Sequence, residues 1–127
     1  MRLHTLATAF LVLFAGSASA VGGPEGDIAA GKARFEATPE GGQSCASCHL
    51  ESGAKSIDDN TPLLAGQYAD YLVKSLKDYR SDARVNVLMN AQVDAEDGAN
   101  KLTDADIKNI AAYLASQPEA VHIYKAR

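Results

Sequence analysis

The apolar positions of this chain fall into three helical stripes and one short apolar run. Ile28, Gly31 and Phe35 recur at i, i+3 and i+7, which predicts an amphipathic helix over "IAAGKARFEA". Asp27 stands where an N-cap carboxylate accepts from the first free amides. An interior glycine costs a helix about 1 kcal/mol against alanine, so Gly31 predicts close approach by another backbone. A second stripe, Tyr68, Leu72, Leu76 and Tyr79, predicts a helix from about Gln67 to Arg80. Lys74, Lys77 and Arg80 lie on a separate edge, with Asp70 placed to pair with Lys74 at i+4. The third stripe is Ile107, Ile110, Ala111 and Leu114. Thr103 and Asp106 precede it as a capping-box variant, and Pro118 ends it. "TPEGGQS" breaks the first helix, while "ESGAKSIDDNTP" and "SDARVNVLMNAQVDAEDGANK" read as loops. No stretch alternates with the period of a strand. The pattern predicts an all-α domain of three to four helices joined by long loops.

The apolar run "LATAFLVLFA" follows Arg2 and His4 and ends in "SASA", with small residues at Ala18 and Ala20. A basic start, a short apolar core and an A-x-A-like site predict a secretory signal cleaved after Ala20. The run is short for a membrane span, and no stop-transfer pattern follows it. Residues 21–26, "VGGPEG", then form a flexible lead-in, residues 27–117 the domain, and residues 118–127 a tail. The mature chain has 107 residues, enough for one domain with a modest core. All sixteen acidic residues lie beyond the signal and Arg2 lies within it, so the net charge moves from −4 to −5. So acidic a small chain argues against a nucleic-acid partner.

Composition exposes a shortage. The chain has no Trp and three Phe, of which Phe10 and Phe14 lie in the signal. Few large side chains are left to fill a core, and long loops add entropy that something must offset. A large apolar cofactor would supply the missing core.

The candidate for holding one is "CASCH". Both cysteines of the chain, Cys45 and Cys48, sit there with His49 directly behind. A disulfide between them would close a very small loop, constrain the unfolded chain little, and leave His49 without a role. A thioredoxin-like dithiol needs a strand and a βαβ setting. A structural zinc site takes four ligands; the motif offers three, and the adjacent Cys48 and His49 are poorly placed to share an ion. Haem uses all three residues: two thioethers from the cysteines and an axial bond from the imidazole, the C-x-x-C-H signature of c-type haem. Once the signal is removed, Met89 is the remaining methionine and His122 the remaining second histidine. Met89 lies in the loop between the later helices, where a thioether can reach the opposite haem face; its alternative role is core filler. His122 reads as an exposed tail residue.

Together these segments resemble the bacterial class I c-type cytochromes, the small periplasmic monohaem kind and one half of the dihaem kind. The resemblance runs through "DIAAGKARFEA", "CASCH", "PLLAGQ", "YADYLVKSLKDYRSDAR", "NVLM" and "LTDADIKNIAAYLAS" in order. It implies a cytochrome c fold and one haem c attached through Cys45 and Cys48. His49 would be the proximal iron ligand and Met89 the distal one. Pro62 matches the proline whose carbonyl accepts from the proximal imidazole. Gly31 and Phe35 would meet Tyr113 where the terminal helices cross. Leu50 departs from the Gly common after the motif, and "VDAEDGANK" is longer than usual.

The implied function is a periplasmic one-electron carrier rather than an enzyme, a monomer that meets redox proteins transiently. It would have no stable membrane insertion after signal cleavage. Two alternatives stand beside it: an open sixth position for peroxide or gas chemistry, and a cytochrome subunit of a larger redox complex.

Overall fold

The computed structural model describes residues 25–39, 42–94 and 101–120; the expected signal, His122 and most of "VDAEDGANK" lie outside them. Helix α1 spans Ile28–Glu36, and a 3-10 turn spans Cys45–Ser47. A short turn, α2, spans Leu50–Gly53, followed by α3 at Ala69–Arg80, α4 at Val87–Val93 and α5 at Asp104–Ala115. No strand occurs among the described residues.

Helix α5 is the centre. The Thr103 hydroxyl accepts from the Asp106 amide at 3.1 Å, and the Asp106 carboxylate accepts from the Thr103 amide at 2.9 Å. This reciprocal cap satisfies two amides that a helix start leaves free. Ile107, Ile110, Ala111, Ala112, Tyr113 and Leu114 are all buried, a wider face than one stripe, because neighbours cover α5 from more than one side.

Helix α1 crosses α5 at Gly31. A Cβ at that position would lie 2.0 Å from the Asn109 carbonyl oxygen and 2.9 Å from Tyr113 Cβ. The Phe35 and Tyr113 rings stack at a tilt beside it, centroids 5.6 Å apart, within the favourable range for aromatic pairs. The Asp27 carboxylate accepts from the Ala30 amide at 2.9 Å, while the Asp27 amide donates to Asn109 Oδ1 at 2.8 Å. Ile28 departs from the expected stripe and stays half exposed. Crossing helices touch over only a short length, and here that length is centred on Gly31 and Phe35. Before α1, Glu25 pairs with Lys108 of α5 at 2.7 Å.

Helix α3 begins at Ala69 rather than Gln67, since Tyr68 keeps an extended backbone. Leu72 is buried and Leu76 and Tyr79 pack on the core, but Tyr68 is exposed. Lys74 pairs with Asp78 and not with Asp70. The Asp78 carboxylate is the more shielded partner, with 29% of its side chain exposed, so water screens the pair less. Arg80 donates to the Leu102 carbonyl at 2.8 Å and to the Asp104 carboxylate, and Lys77 lies 3.7 Å from that carboxylate. Lys77 and Arg80 of the basic edge thus fasten α3 to the start of α5, while Lys74 pairs within α3.

Helix α4 lies where the sequence pattern predicts a loop. Its apolar residues Val87 and Leu88 are exposed, so no buried stripe announces it; Val93 alone reaches full burial. The core comprises Phe35, Leu72, Val93, Leu102, Ile107, Ile110, Ala111, Tyr113 and Leu114. Half-buried Cys45, Leu64 and Met89 pack against it.

Gly31→Ala separates propensity from packing. Helix propensity alone gains about 1 kcal/mol, whereas forcing a methyl against the Asn109 carbonyl loses about 3 kcal/mol. Denaturant unfolding of the haem-loaded variant is expected to show net destabilisation; equal or higher stability would mean that the helices separate freely at Gly31.

The Arg80 guanidinium, with Lys77 beside it, holds the Asp104 carboxyl below its usual range. A depressed carboxylate pKa contributes stability that is present above the unfolded value and lost as pH falls through the folded one. Asp104→Asn is therefore expected to lower the melting temperature at neutral pH. The gap to the parent should close in acid, below the folded Asp104 pKa; a constant gap would assign the effect to lost geometry instead of charge.

Candidate functional site

The segment before the cysteines is pinned by its own serines. Ser47 Oγ donates to the Ser44 carbonyl at 2.7 Å. The Cys48 and His49 amides both donate to the Cys45 carbonyl, at 3.3 and 3.0 Å, so the C-x-x-C-H motif closes into one tight turn. Cys45 and Cys48 are unbridged and half buried. Burial pushes the Cys45 thiol pKa up, against a smaller lowering by Arg34. An exchange dithiol needs the reverse, a lowered pKa, so this environment is wrong for redox exchange. Among the described residues, no three His, Cys, Asp or Glu side chains are grouped to hold a metal ion.

His49 is the one buried polar or charged residue among those described, at 5% exposure. Its Nδ1 lies 3.0 Å from the Pro62 carbonyl oxygen. A carbonyl only accepts, so Nδ1 carries the proton and the neutral ring keeps its lone pair on Nε2. Burial lowers the His49 pKa, opposed by the Pro62 contact, and so favours that neutral form. An imidazole with one nitrogen fixed by a carbonyl and the other free is the form that binds a metal.

Pro62 is delivered by a turn that sequence reasoning missed. Asp58 Oδ1 accepts from the Asn60 amide, the Thr61 amide and the Thr61 hydroxyl at 3.0, 2.9 and 2.8 Å. "DDNTP" carries the signal for it, since Asp and Asn bond the backbone just ahead of a proline. A second missed element follows His49. Glu51 and Ser52 adopt left-handed backbone, φ 47° and 58°, and lead into Gly53 at φ 83°. Such residues are held only when the surroundings over-determine them. Here the Tyr113 hydroxyl donates to Ser52 Oγ at 2.6 Å, and the Leu64 and Ala65 amides donate to the Gly53 carbonyl at 2.8 and 3.1 Å. Gly66 meets the end of α5 through its amide and the Leu114 carbonyl at 3.0 Å. The loop around Pro62 is thus fastened to the central helix.

Met89 sits on α4, half buried against the same core as Cys45. Gln92, one turn on, donates to the carbonyl of Gln43, two residues before Cys45. The two segments are neighbours in space although Gln43 and Gln92 are 49 residues apart in sequence. Ile57, Leu63, Val85, Val87 and Leu88, on the segments that carry Pro62 and Met89, are large, apolar and exposed. Such a concentration fits an apolar ligand or interface better than bare solvent. Two unbridged thiols beside a buried, neutral imidazole fit a covalently attached haem.

The family model for cytochrome c matches residues 28–118. The chain belongs to the cytochrome c family. It is 35% identical over 94 residues to cytochrome c4 of Thiocapsa roseopersicina, a match that covers 74% of this chain and 42% of that one. It is also 36% identical over 95 residues to cytochrome c-554(548) of Halomonas halodenitrificans, covering 72% and 98%. Among solved structures it is similar to the thiosulfate dehydrogenase TsdBA of Marichromatium purpuratum, with a TM-score of 0.62 and 29% identity over 74% of this chain and 20% of that one. The chain spans less than half the length of the cytochrome c4 relatives it matches. As a cytochrome c, it carries one covalent c-type haem, with Cys45 and Cys48 at the attachment spacing and His49 behind them.

Covalent attachment has a direct readout. Acidified organic solvent should leave the haem on the denatured parent cytochrome and extract it from a Cys45→Ser, Cys48→Ser double variant. Extraction from the parent would overturn thioether attachment.

Proposed function

We propose that this cytochrome is an exported one-electron carrier whose iron is held by His49 on one side and Met89 on the other. The observation that carries the proposal is the buried His49 ring, its Nδ1 at 3.0 Å from the Pro62 carbonyl. Bound there, a c-type haem supplies a single iron that takes up and returns one electron. The chain's part is to fix both ligands. Pro62 sets the ring's tautomer and orientation and raises the basicity of Nε2. The Met89 thioether is neutral and favours the reduced iron relative to a second imidazole. Packing of Cys45 and Met89 on one core limits the rearrangement that accompanies electron transfer.

Export to a periplasm is supported by the signal-like residues 1–20. Among the described residues no helix is long and apolar enough to cross a membrane. The expected partners are redox proteins met transiently, and the carrier itself is a monomer in this proposal. Cytochrome c-554(548), matched over nearly its whole length, supports a stand-alone carrier of this size. A second reading, a subunit of a larger redox assembly, is favoured by the match to part of a thiosulfate dehydrogenase. Co-migration with a dehydrogenase or oxidase in native extract would select that second reading.

Met89→Ala tests the axial pair. The parent should show a far-red sulfur-to-iron band when ferric and bind no carbon monoxide when ferrous. The variant should lose the band, bind carbon monoxide fully and shift to lower potential. An unchanged spectrum and potential would place another group on the iron.

A further inference from the structure

The residues around Met89 form a network that the electron-carrier reading does not use. Asn86 caps α4: its Oδ1 accepts from the Leu88 amide at 3.1 Å and from the Met89 amide at 3.0 Å. Asn90, next to Met89, reaches back. Its Oδ1 accepts from the Asn86 amide at 2.6 Å. Its Nδ2 donates to the Tyr79 carbonyl at 2.6 Å, to Asp82 Oδ1 at 3.0 Å and to the Arg84 carbonyl at 3.0 Å. All three partners of Nδ2 are acceptors and the partner of Oδ1 is a donor, so the orientation of the carboxamide is forced. One side chain thereby ties the end of α3, the connecting turn and the first turn of α4 together. Asp82 is held in left-handed backbone at φ 58° within that turn.

Little else holds this part of the chain. Val85, Val87 and Leu88 are 81%, 82% and 78% exposed, so the chain's own core does not fix the approach to Met89. A helix of seven residues has little stability of its own.

We propose that Asn90, acting with Asn86, is the positioning residue that aims the Met89 sulfur at the iron. The proposal rests on Met89 as distal ligand. Iron–thioether bonding within one chain is an intramolecular association, and its strength follows the effective concentration of sulfur at the metal. Anchoring the backbone on both sides of Met89 raises that concentration. Losing the anchor lets an external ligand compete.

The test is imidazole titration of the ferric, haem-loaded protein, followed by loss of the far-red band. Asn90→Leu removes the network. Asn90→Asp keeps the shape but sets a carboxylate against two carbonyls and the Asp82 carboxylate. Asn86→Ala removes only the acceptor for the Leu88 and Met89 amides. Each variant removes two or more hydrogen bonds, so the imidazole midpoint should fall at least threefold and on the order of tenfold. Asp27→Ala, which removes the α1 cap far along the chain, should lower the melting temperature and leave the midpoint alone. Midpoints within threefold of the parent in the Asn90 and Asn86 variants, with melting temperatures lowered as in Asp27→Ala, would make the network purely structural and overturn the proposal. A parent whose band and midpoint match those of Met89→Ala would instead overturn the ligand assignment, and the proposal with it.

Discussion

The close approach of α1 to α5 at Gly31 is the constraint on which the rest depends. With the Asn109 carbonyl 2.0 Å from the place of a Cβ, only a residue without one lets the two backbones meet. That contact puts Phe35 on Tyr113 and sets the azimuth of α5. From α5 the other segments take their positions: α3 through Arg80 and Asp104, the Pro62 loop through Tyr113 and Leu114. The site itself lies on loops and a short helix. Its geometry is inherited from a helix that contributes no residue to the motif.

This arrangement explains how a chain with so few large aromatics places a buried histidine. The loops from Ser44 to Gly66 have little apolar burial of their own. Their order comes from polar side chains bonded to backbone: Asp58 under Pro62, Ser52 under Tyr113, Ser47 on Ser44. Each such bond contributes modestly, but they act on backbone that would otherwise carry unsatisfied groups beside the core. Glu51 and Ser52, just past His49 and Leu50, are tolerated in left-handed backbone because α5 and the Pro62 loop grip that turn from both sides.

Much of this was legible in the sequence, for identifiable reasons. The terminal helices were readable because caps and apolar periodicity agree there: Asp27 with Gly31 and Phe35, Thr103 and Asp106 with Ile107 to Leu114. The haem motif was readable because its chemistry is local. Helix α4 was not readable. It is short, it exposes Val87 and Leu88, and its start is set by two asparagines whose partners lie on another helix and its turn. Tertiary contacts decided it, not propensity. The choice by Lys74 of Asp78 over Asp70 was hidden too, since both stand four residues away in sequence. The Pro62 contact came from family resemblance alone; nothing in "NTPLL" states that its carbonyl faces an imidazole 13 residues upstream.

The two faces of the site are built by different means, and the difference has a consequence for tuning. His49 is buried, follows two attachment cysteines directly, and is oriented by a carbonyl on a loop bonded to the central helix. Changes elsewhere reach it only through α5. Met89 stands on seven residues of helix whose neighbours toward Val85 face solvent. Its backbone is set by polar contacts to α3 and the turn, which water can replace at small cost. In a carrier with both residues on the iron, the proximal bond would be nearly invariant, and variation in ligand strength and potential would arise on the Met89 side.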